Sequence, residues 1–176
     1  QWMTAASGLI HEEYHSADFA RRGGPFEMVQ LWVNLPAKDK MVAPGYQGLT
    51  AVEIPTVALP QEAGTARIIA GRYGDTRGAA RTFTPMNVWD LRLQAGRTLS
   101  IDLPAGHTTA LFVLHGSIQI GAHTIRAAEL AVMQREGTQL ACDIPEEAIV
   151  LLLNGEPLNE PIVGHGPFVM NTRQEI

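Results

Sequence analysis

The sequence predicts an all-β protein of short antiparallel strands arranged as a sandwich or barrel. Three observations carry that reading. A succession of short apolar or alternating segments between residues 65 and 153 is punctuated by Gly, Pro, Asn or Asp after each one. Gly 17 and Pro 11 together exceed the usual share of turn formers, which favours many short elements. Helix signals are scarce until the C-terminus.

In chain order, residues 1–35 read as strands around one polar loop. Gln1–Ala6 is short and apolar, and Gly8–His15 places His11, Glu13 and His15 on one side of a strand, because successive side chains alternate. Ser16–Pro25, with Gly23-Gly24-Pro25, reads as loop by composition. Phe26–Leu35 alternates, with Val29, Leu31, Val33 and Leu35 on one face, until Pro36 withdraws a ladder donor. Residues 37–48, with Lys38-Asp39-Lys40 and Pro44-Gly45, are the expected linker.

The strands expected after it are Thr65–Tyr73, Asn87–Leu93, Thr98–Leu103, Thr108–Leu114, Ser117–Ile120, His123–Arg126, Glu129–Met133, Gln139–Ile144 and Ala148–Leu153. Leu99, Ile101 and Leu103 alternate with Ser100 and Asp102, the pattern of a half-buried strand. Thr109–Leu114 is nearly all apolar, as a strand buried on both faces would be. Thr172 and Glu175 have the spacing of a helix-start capping box. The chain stops one residue later and opens at Gln1 inside an apparent strand, so truncation at both ends is expected.

Composition narrows the function classes. With 176 residues and 45% hydrophobic content the chain has enough apolar surface for a real core. A formal charge of -5, with Arg21-Arg22 the sole basic pair, argues against direct nucleic-acid binding, which needs a basic footprint on the phosphates. No apolar run reaches the roughly 18 residues of a membrane span. Cys142 is the single cysteine, so no internal disulfide forms and a reducing, cytoplasmic compartment is expected. No nucleophile elbow, P-loop or dinucleotide fingerprint supports hydrolytic or nucleotide-dependent chemistry.

The chemistry-bearing stretch is His11-Glu12-Glu13-Tyr14-His15. An imidazole, carboxylate, imidazole row facing a barrel interior would be costly to bury without a cation or hydrogen bonds, which is the reason to suspect a metal. The same row on a water-facing strand means nothing.

Gln1-Trp2-Met3-Thr4-Ala5, Gly8-Leu9-Ile10-His11-Glu12-Glu13 and Gln30-Leu31-Trp32-Val33-Asn34-Leu35-Pro36 resemble the pirin family. Gly155–Pro161 and Gly164-His165-Gly166-Pro167-Phe168-Val169-Met170-Asn171-Thr172 resemble its C-terminal signature. The resemblance implies a bicupin, two antiparallel cupin barrels in one chain. Residues 1–36 would then end the N-terminal cupin, 37–48 the linker, and 49–176 form the C-terminal cupin, leaving the N-terminal barrel incomplete.

In the family the N-terminal barrel holds one metal, usually iron, through three histidines and a glutamate. The resemblance assigns two of these to His11 and Glu13; the other two come from an upstream His-x-His, which this sequence does not contain. His15, on the same strand face, reads as a surface residue. His107 and His115 resemble a degenerate cupin motif and read as structural or turn residues, and His165 as a packing residue. Cys142 alternates with Leu140 and Ile144 and reads as a buried small hydrophobe. The resemblance implies Fe(II) or another divalent metal in the intact protein and dioxygenase activity on a flavonol such as quercetin. It also leaves open a redox-sensitive module that contacts a protein partner, and a metal-free scaffold.

Overall fold

The computed structural model describes all 176 residues, and the chain divides into two compact units. One comprises Gln1–Trp2 and Gln47–Asn159, the other Met3–Tyr46 and Glu160–Ile176. The elements in order are β1 (Trp2–Thr4), α1 (Ala17–Arg22), β2 (Gly45–Gln47), β3 (Thr56–Ala58), β4 (Gly64–Ala70), β5 (Arg72–Tyr73), β6 (Thr76–Arg77), β7 (Met86–Leu93) and β8 (Arg97–Asp102). There follow β9 (Thr108–His115), β10 (Ser117–Ile120), β11 (His123–Arg126), β12 (Leu130–Val132), β13 (Gln139–Ile144), β14 (Ala148–Gly155), β15 (Val163–His165) and β16 (Phe168–Met170).

The first unit is two antiparallel sheets, in the orders β11-β10-β13-β8 and β12-β9-β14-β7-β4-β3. The second sheet faces the first with inward rows that register pins strand by strand. Trp89 on β7 stands opposite Leu152 on β14, which stands opposite Leu111 on β9. Leu91, Val150 and Val113 form the next row. Leu99, Ile101, Leu140, Cys142 and Ile144 meet them from β8 and β13, and all are buried. Period-2 alternation is what lets each strand send every second side chain into this core.

The strands expected between residues 65 and 153 all form, most within a residue or two of their expected ends. Alternation along Leu99–Leu103 and the burial of Cys142 hold as read. Strand β9 differs: Leu111 and Val113 are fully buried, but Ala110, Phe112 and Leu114 are only partly so. Its outward face packs instead on a smaller cluster around Ala70, Ala80, Val88 and Leu151, which Phe112 partly covers.

The largest departure from the sequence reading is at the N-terminal end. Residues 8–15 and 26–35 form no strand. Strand character needs a neighbouring backbone to complete its ladder, and no strand in this structure pairs with either segment. Phe26, Met28 and Trp32 are consequently exposed. The expected loop at Ser16–Pro25 contains α1. Ser16 Oγ accepts from the Phe19 N–H at 3.2 Å, Asp18 sits in the first turn, Arg21 and Arg22 in the last, and Gly23 ends it at φ 65°.

In the second unit Lys40 is buried, its Nζ donating to Asn34 Oδ1 at 2.6 Å and to the Val169 carbonyl at 3.3 Å. Burial lowers its pKa, partly offset by the charges of Glu160 and Glu175. Glu160 Oε2 accepts from the Ala37 N–H and from Asn171 Nδ2, tying the chain's two ends of this unit together. The expected C-terminal cap forms, heading a single 3₁₀ turn at Arg173–Glu175. No helix is long and apolar enough to cross a membrane.

Candidate functional site

His11 and Glu13 lie in extended chain outside any strand, with Nε2 of the histidine 3.9 Å from Oε1 of the glutamate. That is beyond hydrogen-bond reach. Both side chains keep about two-fifths of their surface in contact with solvent. The third member of the sequence row goes elsewhere. The His15 ring packs edge-on against Phe26 at 4.6 Å between centroids and against Phe19 at 5.5 Å, so it joins a small aromatic cluster next to α1.

An imidazole nitrogen and a carboxylate oxygen are donors that suit iron or zinc, but such sites normally draw three or four protein groups. No group of three or more His, Cys, Asp or Glu side chains in this structure could hold a metal ion. By themselves the residues present do not fit the family's metal.

His107, His115 and His165 are scattered. His165 is on the exposed hairpin β15–β16, and His115 ends β9. His107 is different, because it belongs to a polar row that sequence reading missed. Asn87, Asn154 and Thr109 occupy facing positions on β7, β14 and β9, and all three are buried. Asn87 Nδ2 donates to Asn154 Oδ1 at 3.0 Å, Asn154 Nδ2 donates to Thr109 Oγ1 at 2.9 Å, and His107 Nδ1 lies 3.1 Å from Asn154 Oδ1. The Arg72 N–H donates to Asn87 Oδ1 at 3.0 Å. The available signal was positional: Asn87 shares the alternating face of Trp89 and Leu91 on Met86–Leu93, and Asn154 that of Val150 and Leu152 on Ala148–Gly155.

His107 and Thr109 line a cleft of about 510 Å³ at this end of the two sheets, with Ile120, Ile125, Ala131 and Met133 among its apolar lining and Arg135 and Glu136 among its charged lining. Cys142 lies in the core beyond it; burial, and secondarily the charge of Asp143, pushes its thiol up to about 11. At neutral pH it is a protonated, inert thiol.

Comparison with known proteins bears on both regions. Residues 88–176 match the Pirin C-terminal cupin domain. The chain is 53% identical over its whole length to a Pseudomonas aeruginosa protein whose name gives quercetin 2,3-dioxygenase as a provisional activity. It is 37% identical, again over its whole length, to Pirin of Mus musculus. It spans 62% and 60% of the lengths of those two proteins. The crystal structure of a quercetin 2,3-dioxygenase from Acinetobacter baumannii superposes with a TM-score of 0.95 at 47% identity, covering 99% of this chain and 61% of that one. The cupin-like antiparallel sheets and these similarities together establish that the chain belongs to the pirin family.

Proposed function

We propose that this chain supplies part of an iron-dependent dioxygenase acting on a flavonol such as quercetin. One observation carries the reading: His11 and Glu13, an N and an O donor, are held 3.9 Å apart and open to solvent in a chain 53% identical to a relative named for that activity. In this reading the remaining ligands are a His-x-His pair contributed from outside these residues. Residues 1–36 then close one cupin domain, 37–48 are the linker and 49–176 are the second cupin domain. Fe(II) would supply Lewis acidity and access to O₂.

The chain's own contribution is to present two donor groups and to keep the adjacent His15 out of the set by packing it on Phe19 and Phe26. A buried, protonated Cys142 is consistent with a protein working in a reducing cytoplasm without disulfides.

The test is quercetin consumption, followed by its visible absorbance, with Fe(II) added to protein extended to the length of the relatives. Turnover that is lost in both His11→Ala and Glu13→Ala, with iron content reduced in each, supports the reading. Turnover indifferent to both substitutions, or no turnover with iron bound, removes it.

A further inference from the structure

The polar row across β7, β14 and β9 has a direction, and that direction sets the chemistry of the cleft in front of it. It starts from a group whose role is not in question: the backbone N–H of Arg72 can only donate, so the Asn87 atom 3.0 Å away is the oxygen. The other end of that amide, Nδ2, must then be what faces Asn154 at 3.0 Å, and the Asn154 atom receiving it is Oδ1. An amide oxygen only accepts, so the His107 Nδ1 lying 3.1 Å from it carries the proton. In the neutral ring this leaves Nε2 as a lone-pair acceptor, and Nε2 makes no hydrogen bond in the structure. Asn154 Nδ2 in turn donates to Thr109 Oγ1, so the threonine hydroxyl keeps its own proton to give.

His107 and Thr109 therefore offer the cleft one acceptor and one donor, backed by buried amides that cannot turn over without breaking the row. Ile120, Ile125, Ala131 and Met133 give the cleft an apolar side, Gln134, Arg135 and Glu136 line it as well, and about 510 Å³ is ample for a small aromatic molecule. A single hydroxyl is the group that matches both: its O–H donates to Nε2 while its oxygen accepts from Thr109. A carboxylate only accepts and would leave Nε2 unmet. An ether only accepts as well.

We propose that this cleft in the first unit is a second small-molecule site, selective for a neutral aromatic bearing a hydroxyl group, with His107 and Thr109 as its recognition pair. It uses no metal and is independent of His11 and Glu13.

The probes are 2-naphthol and its ether 2-methoxynaphthalene, with 2-naphthoate as the anionic control, titrated at pH 7 and followed by fluorescence and by the ¹⁵N resonances of His107. Saturable 2-naphthol binding is expected about fivefold to tenfold tighter than the ether, the scale of one net hydrogen bond, and tighter than the naphthoate. Free protein should show Nδ1 protonated and Nε2 bare, with Nε2 shifting on binding. Ala131→Leu, which fills the cleft, should abolish binding of all three, and His107→Phe should erase the preference for the naphthol. The ¹⁵N arm needs no variant, so a poorly folded substitution does not spare the proposal. Equal affinity for naphthol and ether, no saturable binding up to the solubility of the probe, an Nε2-protonated ring, or binding untouched by Ala131→Leu would each overturn it.

Discussion

Asn87 and Asn154 are direct cross-strand partners on β7 and β14, and the 3.0 Å hydrogen bond between their amides lies inside the protein rather than at its edge. Two buried amides beside an apolar core are costly unless every polar atom is met. Here Arg72, Thr109 and His107 meet them, which makes the row a structural keystone of this end of the unit.

Asn154→Ala should be strongly destabilising. It leaves the buried Asn87 Nδ2 without its acceptor, at about 1–3 kcal/mol, and also removes the acceptor of the half-buried His107 Nδ1. Urea unfolding should show a lower midpoint with an unchanged slope. A double-mutant cycle with Thr109→Val should show coupling, because Asn154 Nδ2 and Thr109 Oγ1 are bonded at 2.9 Å. Strict additivity would break the picture of a connected row.

Gly71→Ala should disturb the same row through the backbone. Gly71 sits at φ 84°, and a Cβ there would collide with Asn87 Oδ1 and with the Met86 carbonyl oxygen. The left-handed conformation alone costs a side chain about 1–3 kcal/mol. Thermal unfolding should fall accordingly, whereas Gly121→Ala, at φ 57° with open space around it, should cost only the conformational part.

Cys142 should be silent to thiol reagents in the folded protein at pH 8 and react only on unfolding. Its folded pKa is raised from 9.0 to about 11, so the neutral thiol is the favoured folded form. The stability this represents is fully present below about pH 9 and is lost as pH rises from 9 towards 11. Cys142→Ala should therefore flatten the alkaline limb of the pH–stability curve. Rapid labelling of native protein at pH 8 would contradict the burial.

Glu175 should govern an acid transition at the C-terminus. Its carboxylate accepts from the Thr172 hydroxyl at 2.9 Å and from the backbone N–H groups of Thr172 and Asn171 at 2.7 and 3.1 Å, and these bonds lower its pKa below 4.5. Its stabilisation is present above pH 4.5 and is lost as pH falls through the depressed folded value. Protection of the Asn171 and Thr172 amides, measured against the intrinsic exchange rate at each pH, should fall in acid, and Glu175→Gln should already show lower protection at neutral pH.

How much was legible in the sequence differs from one unit to the other. Strands β10, β11 and β13 could be placed to the residue because apolar patterning and flanking turn residues mark each segment's ends, and β10 and β11 pair directly across the Gly121-Ala122 turn. The 26–35 segment has equally good alternation and forms no strand, because a pattern declares which face would be buried but not whether a neighbour exists to bury it. Helix α1 was missed although Ser16, Asp18 and Arg21-Arg22 spell its two ends, since the flanking glycines outweighed a cap over only six residues.

By itself the sequence determined the all-β class, the inward faces of the central strands, the burial of Cys142 and the family resemblance. These rest on period-2 patterning and on motifs that are contiguous in the chain. Only the tertiary structure decided that His15 leaves His11 and Glu13 for Phe19 and Phe26, and that Asn87, His107, Thr109 and Asn154 form one directed network. Such networks are set by the register of strands distant in sequence and by which atom of each amide faces which partner, and neither is written in any local pattern.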